Sequence, residues 1–216
     1  MIKREIYMSR IRPFIGNELI KVLTGIRRSG KSVMLSLIQE ELAQNGVQPE
    51  QFISLNFENM SNAHLCTAVA LHDEILRRTK EISGKVYLFF DEIQEAPRGI
   101  TSLKYFNELA PEYHIVAAGS YMGLALRREN ESFPVGKIDQ LTMRPMGFVE
   151  FVRAVDGDPL ADAILAADMD LLANVSEKLE RLLKEYLVVG GMPEVVSAFA
   201  ASHDFIEARR LQQQII

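Results

Sequence analysis

The chain has one cysteine, Cys66, among its 216 residues. A single thiol rules out any internal disulfide, and a reducing, intracellular home is the default expectation. No apolar run approaches the ~20 residues that span a bilayer. Lys3, Arg4 and Glu5 put charges where a secretory signal would carry its apolar stretch. A cytoplasmic protein with no membrane partner is expected. A basic excess is also lacking: 24 Lys and Arg face 29 Asp and Glu, a net charge of −5. That gives no support for a surface that coats nucleic acid, although a local basic groove stays compatible with it.

His64, His72, His114 and His203 show no metal-ligand spacing with one another or with Cys66, so no zinc site is expected. No G-x-S-x-G stretch or Cys/His arrangement argues for a covalent nucleophile. Repeats and low-complexity tracts are missing. With 48% apolar and 25% charged residues, the chain reads as an ordinary globular protein, long enough for one good core or one domain with a smaller appendage.

What is present centres on Gly25-Ile26-Arg27-Arg28-Ser29-Gly30-Lys31-Ser32, which fits G-x-x-x-x-G-K-[ST] at every fixed position. The apolar run Leu19–Thr24 before it predicts a buried strand. Met34, Leu35, Leu37, Ile38 and Leu42 after it predict a helix with a wide apolar face. Strand, glycine loop and helix together favour a phosphate cradle over a chance match in a turn. Glycines at 25 and 30 let the backbone curl so that the N–H groups of residues 25–33, Ile26, Arg27, Arg28, Ser29 and Val33 included, point at phosphate oxygens. The helix start adds its dipole and its unpaired donors. Lys31 supplies a mobile charge for the β- and γ-phosphates, and Ser32 a hydroxyl for Mg²⁺. Arg27 and Arg28 add positive potential near the phosphates, with a partner surface as the rarer reading.

Phe89-Phe90-Asp91-Glu92 is the second signal. An apolar strand that ends in an acid, downstream of a phosphate loop, delivers a carboxylate beside the metal. Asp91 is therefore the expected metal partner of Ser32. Glu92 is the expected general base that orients the attacking water. The structural alternative is an acid that merely marks where a strand surfaces. Small-molecule kinases with the same loop act on a substrate hydroxyl and do not need the second acid, so the pair favours hydrolysis. Ser120, at the end of a fourth apolar strand, is a candidate sensor of the γ-phosphate, weighed against an ordinary turn serine. Glu58 faces either the same site or solvent.

Further along, Phe52–Phe57, Val86–Phe90, His114–Ala118 and Ile138–Met143 predict four more strands. Leu65, Ala68, Val69, His72, Ile75, Leu76 and Thr79 predict a helix capped by Ser61 or Asn62. Leu103, Phe106, Asn107, Leu109 and Ala110 predict a short one. The alternation gives an α/β fold: a five-stranded, mainly parallel sheet with helices on both faces. Beyond Pro145 the pattern is helical, over 147–154, 160–172 and a leucine stripe from Leu179 to Leu187, until Gly190-Gly191-Met192-Pro193 breaks it. Residues 205–216 end in mid-helix without a cap, so the chain is expected to be the front part of a longer protein.

Several blocks together carry a resemblance. They are Thr24–Ser32, Asn56-Phe57-Glu58, Phe90-Asp91-Glu92-Ile93-Gln94, Ala118-Gly119-Ser120, Ser132–Lys137, Pro145–Phe151 and Gly190–Glu194. The chain resembles prokaryotic AAA-superfamily P-loop ATPases that carry a C-terminal domain of unknown function. The resemblance implies a sensor strand lying between the phosphate-loop strand and the acid strand. It also implies a core over 1–145, a small helical lid over 146–189, and the start of a further domain over 190–216. Adenine is the implied base, since no Asn-Lys-x-Asp element is visible, and Arg10–Phe14 is placed near it. Many such proteins have Gly-Arg where this chain has Gly136-Lys137. Lys137 carries the charge without the rigid fork, and Arg127 or Arg128 are substitutes. A missing arginine finger costs on the order of 10³ to 10⁵ in rate.

The expected function is thus ATP binding and slow basal Mg²⁺-dependent hydrolysis. Another reading is a nucleotide-controlled switch whose C-terminal region binds a protein or nucleic acid, and a third is a small-molecule kinase. The sequence leaves the oligomeric state open.

Overall fold

Five strands form one sheet: β1 (Ile20–Gly25), β2 (Phe52–Asn56), β3 (Val86–Asp91), β4 (Tyr113–Ser120) and β5 (Ile138–Met143). Their order is β2-β3-β4-β1-β5, and every pairing is parallel. The computed structural model describes residues 2–65, 67–96, 103, 106, 113–120 and 138–215. The α/β expectation holds, and all the strands run one way. β4 lies between β1 and β3, the order that the family resemblance implies.

Burial follows position in the sheet. β1, β3 and β4 are buried almost end to end, whereas β2 and β5, at the edges, show partial exposure. Successive residues of a central strand feed opposite faces. Val86, Leu88 and Phe90 join a core with Ile53, Leu71, Ile75, Phe106 and Ile115. Tyr87 and Phe89 join the other, with Leu23, Met34, Ile38, Leu42 and Val116. Helix α1 (Glu5–Ile11) and helix α2 (Lys31–Gln44) cover the second face, and α3 (Ala68–Thr79) covers the first. On α2 the buried apolar residues are Met34, Leu35, Leu37, Ile38 and Leu42, the five that the sequence pattern picks out.

The α3 expectation needs correction. Met60–Leu65 forms a 3-10 turn, and the helix starts only at Ala68, where Thr67 Oγ1 accepts the Ala70 N–H at 3.2 Å. Neither Ser61 nor Asn62 caps it. The tighter turn ends the helical count that began at Leu65, so Leu71 and Ile75 face the sheet while Val69 and Leu76 are exposed. Of the helix predicted from Leu103 onward, Leu103 and Phe106 are helical and fully buried; Asn107, Leu109 and Ala110 lie outside the described residues.

The chain divides into two compact units, residues 5–143 and residues 1–4 with 144–216. The second holds α4 (Phe148–Val155), α5 (Asp158–Ala166), α6 (Met169–Asn174), α7 (Ser176–Val189), α8 (Pro193–Ser202) and α9 (Phe205–Ile215). The single helix expected over 160–172 is two, because Ala167 turns left-handed at φ 52° and Asp168 then caps the Leu171 N–H. Phe151, Val152, Leu182, Val195, Val196, Phe199 and Ala208 share one core. Gly190, where a further domain was expected to begin, therefore lies inside this unit. Gly191 is pinned there: its carbonyl accepts the Met146 N–H at 2.6 Å, and a Cβ on it would stand 2.2 Å from Met146 O.

Residues 2–4 belong to the same unit through a buried ion pair. Arg4 Nε donates to Glu150 Oε1 at 2.6 Å, and Nη2 donates to Glu150 Oε2 at 3.1 Å and Arg144 O at 3.0 Å. No helix among the described residues is long and apolar enough to cross a membrane.

Candidate phosphate and metal site

Parallel strands end together, so β1, β3 and β4 deliver their last residues to the carboxyl end of the sheet. Gly25 is in register with Ser120 on β4 and with Met143 on β5. Asn56 is in register with Asp91. The loop leaves β1 through Gly25, at φ 144°, and enters α2 through Gly30, at φ 93°. Gly25 has no room for a side chain: a Cβ there would lie 2.3 Å from Met143 O and 3.0 Å from Ser29 Oγ. Arg28 takes φ 62°, so positive φ recurs within the loop and curls it. Ser29 is buried, while Ile26 and Val33 are exposed.

Lys31 is the first residue of α2 and only 3% exposed. Its Nζ donates to Ser120 Oγ at 2.8 Å and Ile26 O at 3.0 Å, with a longer contact of 3.5 Å to Gly25 O. Burial pushes the ammonium below its ordinary value, against the pull of Glu92 and Asp91. Asp91 is raised above the usual carboxylate range, chiefly by burial, against a hydrogen bond from Ser32. Its Oδ1 accepts the Glu92 N–H at 3.1 Å, and Asn56 Nδ2 approaches Oδ2 at 3.5 Å.

Glu92 sits at φ 49°, and its Oε2 accepts from Gln94 Nε2 at 2.6 Å and from the Ser120 N–H at 3.4 Å. Lys31, Ser32, Asp91, Glu92 and Ser120, from three separate stretches of sequence, thus meet in one place. Arg27 pairs with Glu58 at 3.2 Å, both largely exposed, so Glu58 faces the loop. Lys137, Arg127 and Arg128 lie outside the described residues. Arg12, in the segment placed near the base by resemblance, pairs instead with Glu5 and with Glu41 near the far end of α2. Sequence reasoning assigned no role to Gln94 or Asn56. The strand-end position of Asn56 beside Asp91 is a signal that could have found it, and Gln94 is marked only as the last residue of the Phe90–Gln94 block that carries the resemblance.

The sequence model of a family described as an AAA domain matches residues 17–152. A Haemophilus influenzae protein described as uncharacterized is 30% identical over 200 residues, covering 92% of this chain and 45% of that protein. The chain therefore spans under half the length of this curated relative. Among solved structures, the Aeropyrum pernix ORC1 protein in complex with DNA is similar, at a TM-score of 0.52, 14% identity, 94% of this chain and 56% of that one. The Saccharomyces cerevisiae Hsp104:casein complex gives 0.55, also at 14%, covering 94% and 38%. At that identity they speak for the fold alone. With the loop, the strand order and the family match in agreement, the chain belongs to the AAA-domain family, with a P-loop fold of the nucleotide-binding, ATPase-like kind.

Proposed function

We propose that the chain binds ATP with Mg²⁺ and hydrolyses its β–γ phosphoanhydride slowly. The observation that carries this reading is the convergence of Lys31, Ser32, Asp91 and Glu92 at the carboxyl end of the sheet. The donor set suits the ion. The Ser32 hydroxyl and Asp91 carboxylate are hard oxygens, the kind Mg²⁺ takes, and lie within hydrogen-bond contact of each other. When bound, Mg²⁺ neutralises charge on the phosphate oxygens.

The protein's own groups do the rest. Backbone N–H groups from Gly25 to Val33 hold phosphate oxygens, and Lys31 exchanges its contacts with Ile26 and Ser120 for the β- and γ-phosphates. Glu92 takes a proton from the water that attacks the γ-phosphorus. Ser120, bonded to Lys31 and near Glu92, senses whether the γ-phosphate is there. Slow turnover is expected because Lys137 stands where many such proteins have the arginine that would serve as a finger, and lysine carries the charge without the rigid fork. We place the protein in the cytoplasm.

Thermal shift with ATP, GTP and ADP, together with phosphate release, tests this. ATP at about 100 times its dissociation constant adds ~2.7 kcal/mol of stability. Lys31→Ala abolishes that gain. Glu92→Gln keeps it and loses turnover by on the order of 10² or more. Normal hydrolysis by Glu92→Gln removes Glu92 as the base.

A second reading is a nucleotide-controlled switch whose partner, a protein or a nucleic acid, is met through a C-terminal region. Nucleotide binding with negligible turnover, with or without partner, selects that reading.

A further inference from the structure

Gln94 lies in the 3-10 turn Ile93–Glu95, directly after β3 and Glu92. Its Nε2 donates to Glu92 Oε2 at 2.6 Å, with a longer 3.4 Å contact to Glu95 Oε1. The left-handed backbone of Glu92 turns its carboxylate toward β4, where the Ser120 N–H reaches the same Oε2 at 3.4 Å. Both donors therefore converge on one oxygen. Among the described residues none donates to Oε1, which leaves that oxygen for an incoming proton.

The other end of Gln94 is the informative one. A carboxylate only accepts, so the amide must turn its nitrogen to Glu92. Its Oε1 is then buried, with no hydrogen-bond partner among the described residues. An unpaired buried acceptor costs stability, and an apolar side chain of the same shape would avoid that cost. Folding alone does not account for a glutamine here; the contact with Glu92 does.

We infer that Gln94 is a positioning residue for hydrolysis: it holds the Glu92 carboxylate by Oε2 so that Oε1 faces the attacking water. This rests on Glu92 as the base. Gln94 itself touches neither substrate nor metal in this scheme. It acts through the orientation of its neighbour, as the supporting shell of a catalytic group does.

The test uses the purified chain with Mg-ATP, in steady-state and single-turnover assays, alongside melting curves. Gln94→Leu is expected to lower kcat at least tenfold, to leave KM and the ATP-induced thermal shift unchanged, and to melt at or above the unmodified protein. Gln94→Glu keeps the shape without the donor and loses as much. Gln94→His keeps an N–H and recovers part of the rate. In a Glu92→Gln background, Gln94→Leu adds no further loss, because both changes remove one unit.

An unchanged kcat in Gln94→Leu overturns the inference. So does a raised kcat, which would make Gln94 a latch that keeps Glu92 from water. A loss of rate matched by a loss of melting temperature, or an additive double mutant, also overturns it. Normal turnover in Glu92→Gln, or none in the unmodified chain, instead removes the hydrolytic reading on which the inference stands.

Discussion

Replacing Gly25 by alanine tests whether the loop exit from β1 is as constrained as its geometry states. The added Cβ meets Met143 O at 2.3 Å, Met143 C at 3.2 Å and Ser29 Oγ at 3.0 Å. Met143 is paired with Gly25 in the parallel ladder, so its carbonyl cannot retreat without parting β5 from β1. A φ of 144° adds strain of about 1–3 kcal/mol for a residue with a Cβ. Overpacking against a fixed backbone atom adds about 1–3 kcal/mol more. Stiffening of the unfolded chain returns about 0.4–1 kcal/mol. The net loss is roughly 3 kcal/mol, which for a unit of this size lowers the melting temperature by about 10 °C.

Gly46→Ala is the matched control. It also has positive φ, 92°, but nothing lies within 4 Å of its Cβ position. With the same offset from the unfolded chain it should lose only ~1 kcal/mol. Calorimetry of both variants, with and without ATP, separates strain from collision. If Gly25→Ala melts within about 2 °C of Gly46→Ala, the collision with Met143 is not real and the loop has room for a side chain there.

Two further perturbations probe buried charge. Lys21 on β1 is 3% exposed, its Nζ donates to Asn17 O at 2.9 Å, and burial pushes its pKa from 10.5 down to about 8 despite nearby Asp139. Below pH 8 both folded and unfolded chains carry the proton and the penalty is full. Between about 8 and 10.5 the folded state releases it first, so this group's contribution to stability rises with pH. Lys21→Met should therefore stabilise by up to ~3 kcal/mol at pH 7 and by much less at pH 10, read from urea midpoints; equal gains at both would refute the burial argument. Arg4→Ala strands Glu150 in a half-dry site and should cost about 3 kcal/mol in its unit. Arg4→Lys should recover only part, because one ammonium cannot span both Glu150 oxygens and Arg144 O. Hydrogen exchange of α4 amides measures both variants, and protection equal to the unmodified protein would show the pair to be idle.

Where the sequence reads well, the physics is local. Gly25 and Gly30 reveal the loop because only glycine takes the backbone angles needed there at no steric cost. The apolar run into Asp91 reveals β3 because a strand buried on both faces has few polar positions until it surfaces. Where it reads badly, something non-local intervenes. The register of α3 depends on a 3-10 turn ahead of it that apolar spacing does not announce. The joining of residues 2–4 to 144–215 depends on Arg4 reaching Glu150 across most of the chain.

The sequence alone determined that a strand, a curled glycine loop and a helix follow one another, and that Asp91 and Glu92 close a buried strand. These are consequences of backbone sterics and of apolar periodicity within a few residues. The resemblance already implied that β4 lies between β1 and β3; only the tertiary structure decided that Ser120 meets Lys31 and that the Ser120 N–H and Gln94 share one oxygen of Glu92. Strand order is set by how two sheet faces bury their side chains against α1, α2 and α3, a balance summed over the whole core and written in no single stretch of it.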